Sequence, residues 1–232
     1  MTIPLSFFDD CAFVSVDFQG DAPEPGTRGE RMTKDKMHTR WLEDGMTAED
    51  HDAAKDFCID VALPNAVKVA NACRKIKMPM IFIHWGYAFK DGMDLNPVTY
   101  DHFIDEFGSD TSKWPHHIDD PSSCPMHQYK VSEDEYVLAK TAQDSFPSSH
   151  LDYVLRNLKT RHIVFVGGHT GACLGKTVHS AREHGYKVLV VEDATNDAFE
   201  STRLPHIKTF GYDYLIKTEE FLERANAVTK RA

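Results

Sequence analysis

HIVFVGGHTGACLGKTVHSAREHGYKVLVVED, His162 to Asp193, is the stretch that decides the fold. HIVFVGG (His162 to Gly168) and KVLVVED (Lys187 to Asp193) are apolar runs of strand length, rich in β-branched residues. Between them a glycine-rich turn opens a helical stretch from about Cys173 to His184, which Gly185 stops. A helix joining two strands carries the chain back to its starting end, so the strands pair in parallel. Runs that are apolar throughout, not alternating, belong to a sheet covered on both faces.

The same pattern extends in both directions. CAFVSVDF (Cys11 to Phe18), MIFIHW (Met80 to Trp85), EYVLAK (Glu135 to Lys140) and a short run near Tyr212 to Ile216 read as further strands. Leu63 to Lys77 reads as an amphipathic helix with Leu63, Ala66, Val67, Ala70, Cys73 and Ile76 near one face, ended by Pro79. Ser148 to Leu158, a short segment after Asp193 and a terminal segment from Glu219 are also helical, and Met32 to Cys58 is partly so. Strands alternating with helices predict an α/β fold with a parallel sheet between two helical layers. Gly20 to about Glu30 is polar and rich in Gly and Pro, and about 86–134 is an irregular insertion broken by short helices. A connection that long in a compact domain is a lid or specificity loop, or else a disordered insertion. No repeat and no domain boundary interrupts 1–232, which reads as a single domain.

The chain has 232 residues, 41% hydrophobic and 27% charged, which suffices for a proper core. Its 26 Lys+Arg against 36 Asp+Glu give a formal charge of −10, which excludes a nucleic-acid footprint. No apolar run is as long as a membrane span, and Met1 to Phe8 lacks the pattern of a secretory signal. Five cysteines without paired spacing point to a reducing compartment, the cytoplasm.

In open parallel sheets the chemistry gathers outside the carboxyl ends of the strands. Three reactive side chains fall at such ends: Asp17 after the first strand, Lys140 closing EYVLAK, and Cys173 after HIVFVGG at the mouth of a helix. A thiol there meets the positive end of the helix dipole and unpaired N–H groups, which favour thiolate and can also bind an oxyanion. Each residue has a bland reading as well: a small buried hydrophobe for Cys173, a turn or cap for Asp17, a solvated surface lysine for Lys140. The glycines fit neither a P-loop, since only three residues separate Gly171 from Gly175, nor G-x-G-x-x-G, since Gly167 and Gly168 are adjacent.

Three blocks carry a family resemblance. VDFQ (Val16 to Gln19), AKTAQDSF (Ala139 to Phe146) and GGHTGACLGKTVHSAREHGYKVLVVEDAT (Gly167 to Thr195) resemble the isochorismatase-like cysteine hydrolases in motif and in the order Asp, Lys, Cys. The resemblance implies a Rossmann-like three-layer α/β/α sandwich with a mainly parallel six-stranded sheet in the order 3-2-1-4-5-6. It further implies acyl transfer through a thioester on Cys173. Asp17 takes the thiol proton, Lys140 holds carboxylate and sulfur together, and the backbone N–H groups of His169 and Cys173 form an oxyanion hole. A cis peptide at Gly168–His169 and a homo-oligomer, dimer or tetramer, belong to the same implication. Gln19, Phe18 and Phe146 adjoin the reactive residues, and Trp85, Tyr87 and Phe89 follow the second strand, so these are candidates for substrate contact.

Departures from the family narrow the reading. The D-x-H…H metal set of its nicotinamidases is missing from IFIHWGYAFKDGMDLN (Ile81 to Asn96), which predicts no catalytic metal and no cofactor. His116 and His117 have no partner at metal-ligand spacing. Cysteine stands where isochorismate-cleaving members often have glycine, which favours hydrolysis of a C–N bond in a small amide, ureido or carbamoyl substrate. The alternatives are a vinyl-ether hydrolase with Asp17 as acid and Cys173 dispensable, and a non-catalytic interaction protein on the same fold.

Overall fold

The computed structural model describes residues 3–20 and 30–231. The polar run expected from Gly20 to Glu30 lies almost wholly outside them. Six strands form one sheet: β1 Cys11–Val16, β2 Met80–Trp85, β3 Tyr136–Lys140, β4 His162–Gly167, β5 Lys187–Thr195 and β6 Tyr214–Ile216. Their order is β3-β2-β1-β4-β5-β6, and every pairing is parallel. The fold is the expected three-layer α/β architecture. All six residues of β1 are buried, because strands pack on both of its edges and helices on both of its faces.

The helices are α1 Thr39–Glu43, α2 Ala48–Phe57, α3 Leu63–Lys75, α4 Pro97–Phe107, α5 Ser145–Ser148, α6 Leu151–Asn157, α7 Cys173–Glu183, α8 Glu200–Phe210 and α9 Thr218–Arg231. One face of the sheet packs Phe13, Phe82, Val164 and Leu189 against α3 and α9, with Leu63, Ala66, Val69, Ala70 and Phe221 in the layer between. The other face packs Val14, Ile81, Phe165 and Val190 against α6 and α7 through Leu151, Leu155, Leu174 and Val178. Leu63-Pro64 does not begin a helix, as expected from sequence. A π-helical turn, Cys58–Ala62, joins α2 to α3 without a break. Its wider i→i+5 spacing accommodates Pro64, which has no N–H to give to an ordinary helical turn.

The insertion has a core of its own. Tyr87, Leu95, Phe103 and Trp114 pack together, with Trp85 and Tyr100 against them. It contains one full helix, α4, which starts where Asn96 accepts from Thr99 N at 3.1 Å and Pro97 supplies the preset φ. Gly108, at φ 79°, ends it.

Candidate active site

Register brings the reactive residues together. Val16 is level with Ile83 on one side and Gly167 on the other, and Trp85 is level with Lys140. The carboxyl ends of β3, β2, β1 and β4 therefore stand side by side. The strand order reverses between β1 and β4, which makes their junction the switch point where such sheets bind ligands.

Asp17 turns off β1 at φ 53°, with its amide bonded to Ile83 O at 2.8 Å. Lys140 is wholly buried; its Nζ lies 2.8 Å from Asp17 Oδ2 and donates to Ala142 O at 3.1 Å. Asp17 Oδ1 is buried and has no hydrogen-bond partner among the described residues. Cys173 opens α7, half-buried and close enough to both charges to feel them. Burial, then the Asp17 carboxylate, push its thiol up to about 12, and the Lys140 ammonium opposes them. Lost solvation thus opposes ionisation of the sulfur, while Lys140 and the helix N-terminus favour it.

The turn before Cys173 is shaped by its glycines. Gly167 sits at φ 116°, and a Cβ there would run into the backbone of Val16. The Gly168–His169 peptide is cis. His169 O accepts from the amides of Ala172 and Leu174, at 3.0 and 3.1 Å, while no acceptor among the described residues takes the amides of His169 or Cys173. The pKa of His169, a residue that reaches solvent, is lowered by partial desolvation, against the opposing pull of Asp197 and Asp17.

Motif residues without reactive groups prove to be ties. Ser145 Oγ and Thr177 Oγ1, both fully buried, are 2.9 Å apart, fastening the loop after Lys140 to the helix that carries Cys173. Asp193 accepts from Thr218 N and Oγ1, both at 2.7 Å, and so caps α9.

Sequence reasoning passed over Asp197 and His206, and read His84 as a satisfied histidine and not a ligand. The Asp197 carboxylate, its side chain 5% exposed, accepts from His206 Nδ1 at 2.6 Å, Thr202 Oγ1 at 2.9 Å, Ala198 N at 2.9 Å and Gly171 N at 3.4 Å. These bonds hold its pKa below the usual carboxylate range against the effect of burial. The His206 ring rests on Gly171, leaving no room for a Cβ. Burial lowers the pKa of His84, which Asp17 raises and Lys140 lowers, and its Nδ1 has no partner among the described residues. Asp197 and His206 lie outside the quoted blocks, and only folding sets them beside the site.

Cys173 borders a cavity of about 500 Å³ between the sheet ends and α4. Trp85, Val98, Phe103 and Phe107 supply its apolar wall, and Thr99, His102, Glu106, His116 and Gln143 its polar lining. Of the substrate-contact candidates Trp85 is there. The others differ from expectation for steric reasons. Phe18 is buried against Tyr129, Tyr87 is buried in the insertion's core, Phe146 is stacked on His184, and Phe89 is on the outer surface, 60% exposed. Gln19 has its amide occupied: Oε1 accepts from Trp85 N at 2.6 Å, and Nε2 donates to Trp85 O at 2.9 Å and Ser122 O at 3.1 Å. It fixes the cavity wall at Trp85. Among the described residues no three His, Cys, Asp or Glu side chains form a group that could hold a metal ion. No helix among them is long and apolar enough to cross a membrane.

Residues 44–211 match the family model of the isochorismatase domain. The chain belongs to the isochorismatase family of hydrolases. The match spans Lys140 and Cys173 and begins after Asp17. Isochorismatase-family relatives at the sequence level include the ureidoacrylate amidohydrolase RutB of Variovorax paradoxus, 28% identical over 99 residues, which are 41% of this chain and 39% of that protein. The matched stretch thus spans about two fifths of that relative's length. Among solved structures, a cysteine hydrolase from Pseudomonas syringae pv. phaseolicola has a TM-score of 0.68 at 17% identity, covering 98% of this chain and 100% of that one. The N-carbamoylsarcosine amidase of Thermoplasma acidophilum has a TM-score of 0.59 at 18% identity, covering 90% and 97%. At these identities the structures show the shared fold.

Proposed function

We propose that this chain, with 1–232 acting as one domain and 86–134 as its insertion, is a metal-independent cysteine hydrolase. It cleaves a C–N bond of a small amide, ureido or carbamoyl compound through a thioester on Cys173. The observation that carries this reading is the meeting of a buried Asp17–Lys140 pair with the Cys173 thiol at the edge of a cavity. The activities named for the amidohydrolase and amidase relatives point to the same bond type.

The thiol proton leaves as sulfur attacks the carbonyl carbon, and Asp17 Oδ1, the oxygen not held by Lys140, receives it. The developing oxyanion lies against the N–H groups of His169 and Cys173, for which no acceptor is found among the described residues. As the C–N bond breaks, the proton passes from Asp17 to the departing nitrogen. Water then attacks the thioester, giving its proton to Asp17, and the sulfur leaves and is reprotonated. Lys140 keeps the carboxylate in place and opposes its protonation until the thiol arrives. Trp85 binds substrate, and Gln19 positions Trp85. The five cysteines among the described residues are all free thiols, in keeping with a cytoplasmic setting; we take the working form to be a homo-oligomer, dimer or tetramer, which sedimentation would test.

The test is ammonia release from a panel of small amides, ureas and carbamates by the wild type, Cys173→Ala and Cys173→Ser. Both variants should melt at the wild-type temperature and lose turnover by at least about a thousandfold. Turnover retained in Cys173→Ala would refute the reading. Insensitivity to thiol-blocking reagents in an enzyme that cleaves vinyl ethers would replace it with acid catalysis by Asp17.

A further inference from the structure

We propose that the cavity beside Cys173 selects neutral substrates bearing an aromatic or other apolar group and discriminates against carboxylates. The inference rests on the reading of Cys173 as nucleophile and adds the class of molecule delivered to it. Its first ground is the wall. Helix α4 presents Val98 and Phe107, 79% and 36% exposed, toward the same space as the buried Phe103 and the half-buried Trp85. Trp85 and Phe103 lie 5.4 Å apart between ring centroids, tilted by 37°. Such a surface gains by covering a flat apolar group.

The second ground is charge. A carboxylate is held most strongly by a guanidinium or ammonium donor; neither is among the described lining residues, where the titratable nitrogens are those of His102 and His116. The ammonium of Lys140 is occupied by Asp17 and Ala142 O. What lines the cavity instead is a carboxylate, Glu106, 3.0 Å from His102 Nε2. One ammonium approaches the rim: Lys176 Nζ donates to Gln143 Oε1. A formal charge of −10 on the whole chain adds to the repulsion of anions. Ureidoacrylate, the substrate in the name of the RutB relative, is itself a carboxylate, so this pocket differs in selectivity from what that name describes.

The experiment separates this inference from the hydrolase reading because it needs no turnover. Cys173 is alkylated with iodoacetamide, iodoacetate and N-benzyl iodoacetamide, which share one reaction: sulfur bonds to the methylene carbon, iodide leaves, and the thiol proton passes to Asp17 or solvent. Rates are read by mass spectrometry of the Cys173 peptide and normalised to those of glutathione. N-benzyl iodoacetamide should exceed iodoacetamide by about tenfold, from burial of the ring. Iodoacetate should be slower than iodoacetamide, with Glu106→Gln closing the gap by about threefold. This order supports the proposal whether or not any amide is hydrolysed. Iodoacetate reacting as fast as iodoacetamide would overturn it while leaving the hydrolase reading intact, and loss of that reactivity in Lys176→Gln would identify the cation responsible. Failure of all three reagents to label Cys173 would overturn both readings.

Discussion

Lys140→Met withdraws a wholly buried ammonium from a carboxylate whose side chain is only 14% exposed. At their separation of 2.8 Å, with an effective dielectric of about 20, the attraction is about 6 kcal/mol, and desolvation of the two ions offsets much of it. The single substitution leaves Asp17 without its counter-ion, which costs about 3–5 kcal/mol. With a urea m-value of about 3 kcal/mol/M, a loss of about 4 kcal/mol lowers the unfolding midpoint by about 1.3 M. Adding Asp17→Asn removes the stranded charge and should restore most of that shift. The assay is tryptophan fluorescence across a urea series for the wild type, the single and the double variant, with equal m-values required for comparison. A single-variant shift below about 0.3 M, or a double variant less stable than the single, would show that the pair is not the buried ion pair on which the site depends.

Three further outcomes are expected. Cys58 and Cys173 are both raised by burial to about 12 from an ordinary 9.0, so the folded state holds their protons more tightly than the unfolded. The stabilisation is complete below pH 9.0 and is lost as pH rises through about 12; melting temperature should fall above pH 9, less steeply in Cys58→Ala, and equal slopes would contradict this. Gln19→Ala frees the backbone of Trp85 and should reduce kcat/KM for amide hydrolysis about tenfold; an unchanged value would remove Gln19 from any positioning role. Asp197→Ala strands the donors that converge on that carboxylate and should cost about 2–4 kcal/mol by urea unfolding, whereas a loss under about 1 kcal/mol would show that the turn before Cys173 does not depend on it.

The sheet was legible because strands buried on both faces leave apolar runs that need no alternation to be recognised. Asp17, Lys140 and Cys173 were legible for a related reason: a charged or reactive group directly after such a run stands at the strand's carboxyl end. Distance across the fold was not legible. Phe18, Tyr87 and Phe146 adjoin important positions in sequence, but Tyr129, the insertion's own core and His184 take them up as packing. The cavity wall on α4 comes from an insertion with no recognisable pattern, and Asp197 reaches the glycine turn only because β5 returns beside β4. A helix terminus beside Cys173 can be read from sequence, whereas the depth of burial that opposes ionisation there cannot.

Gln19 grips Trp85 through both its N–H and its carbonyl from a position two residues beyond Asp17, so one face of the pocket is registered to Asp17 through the sheet itself. The opposite face belongs to α4, which contributes none of Asp17, Lys140 and Cys173. Under the proposed function, chemistry and selectivity therefore occupy separable pieces of chain, and a foreign segment grafted in place of 97–107 should change what is accepted while leaving Asp17, Lys140 and Cys173 where they stand.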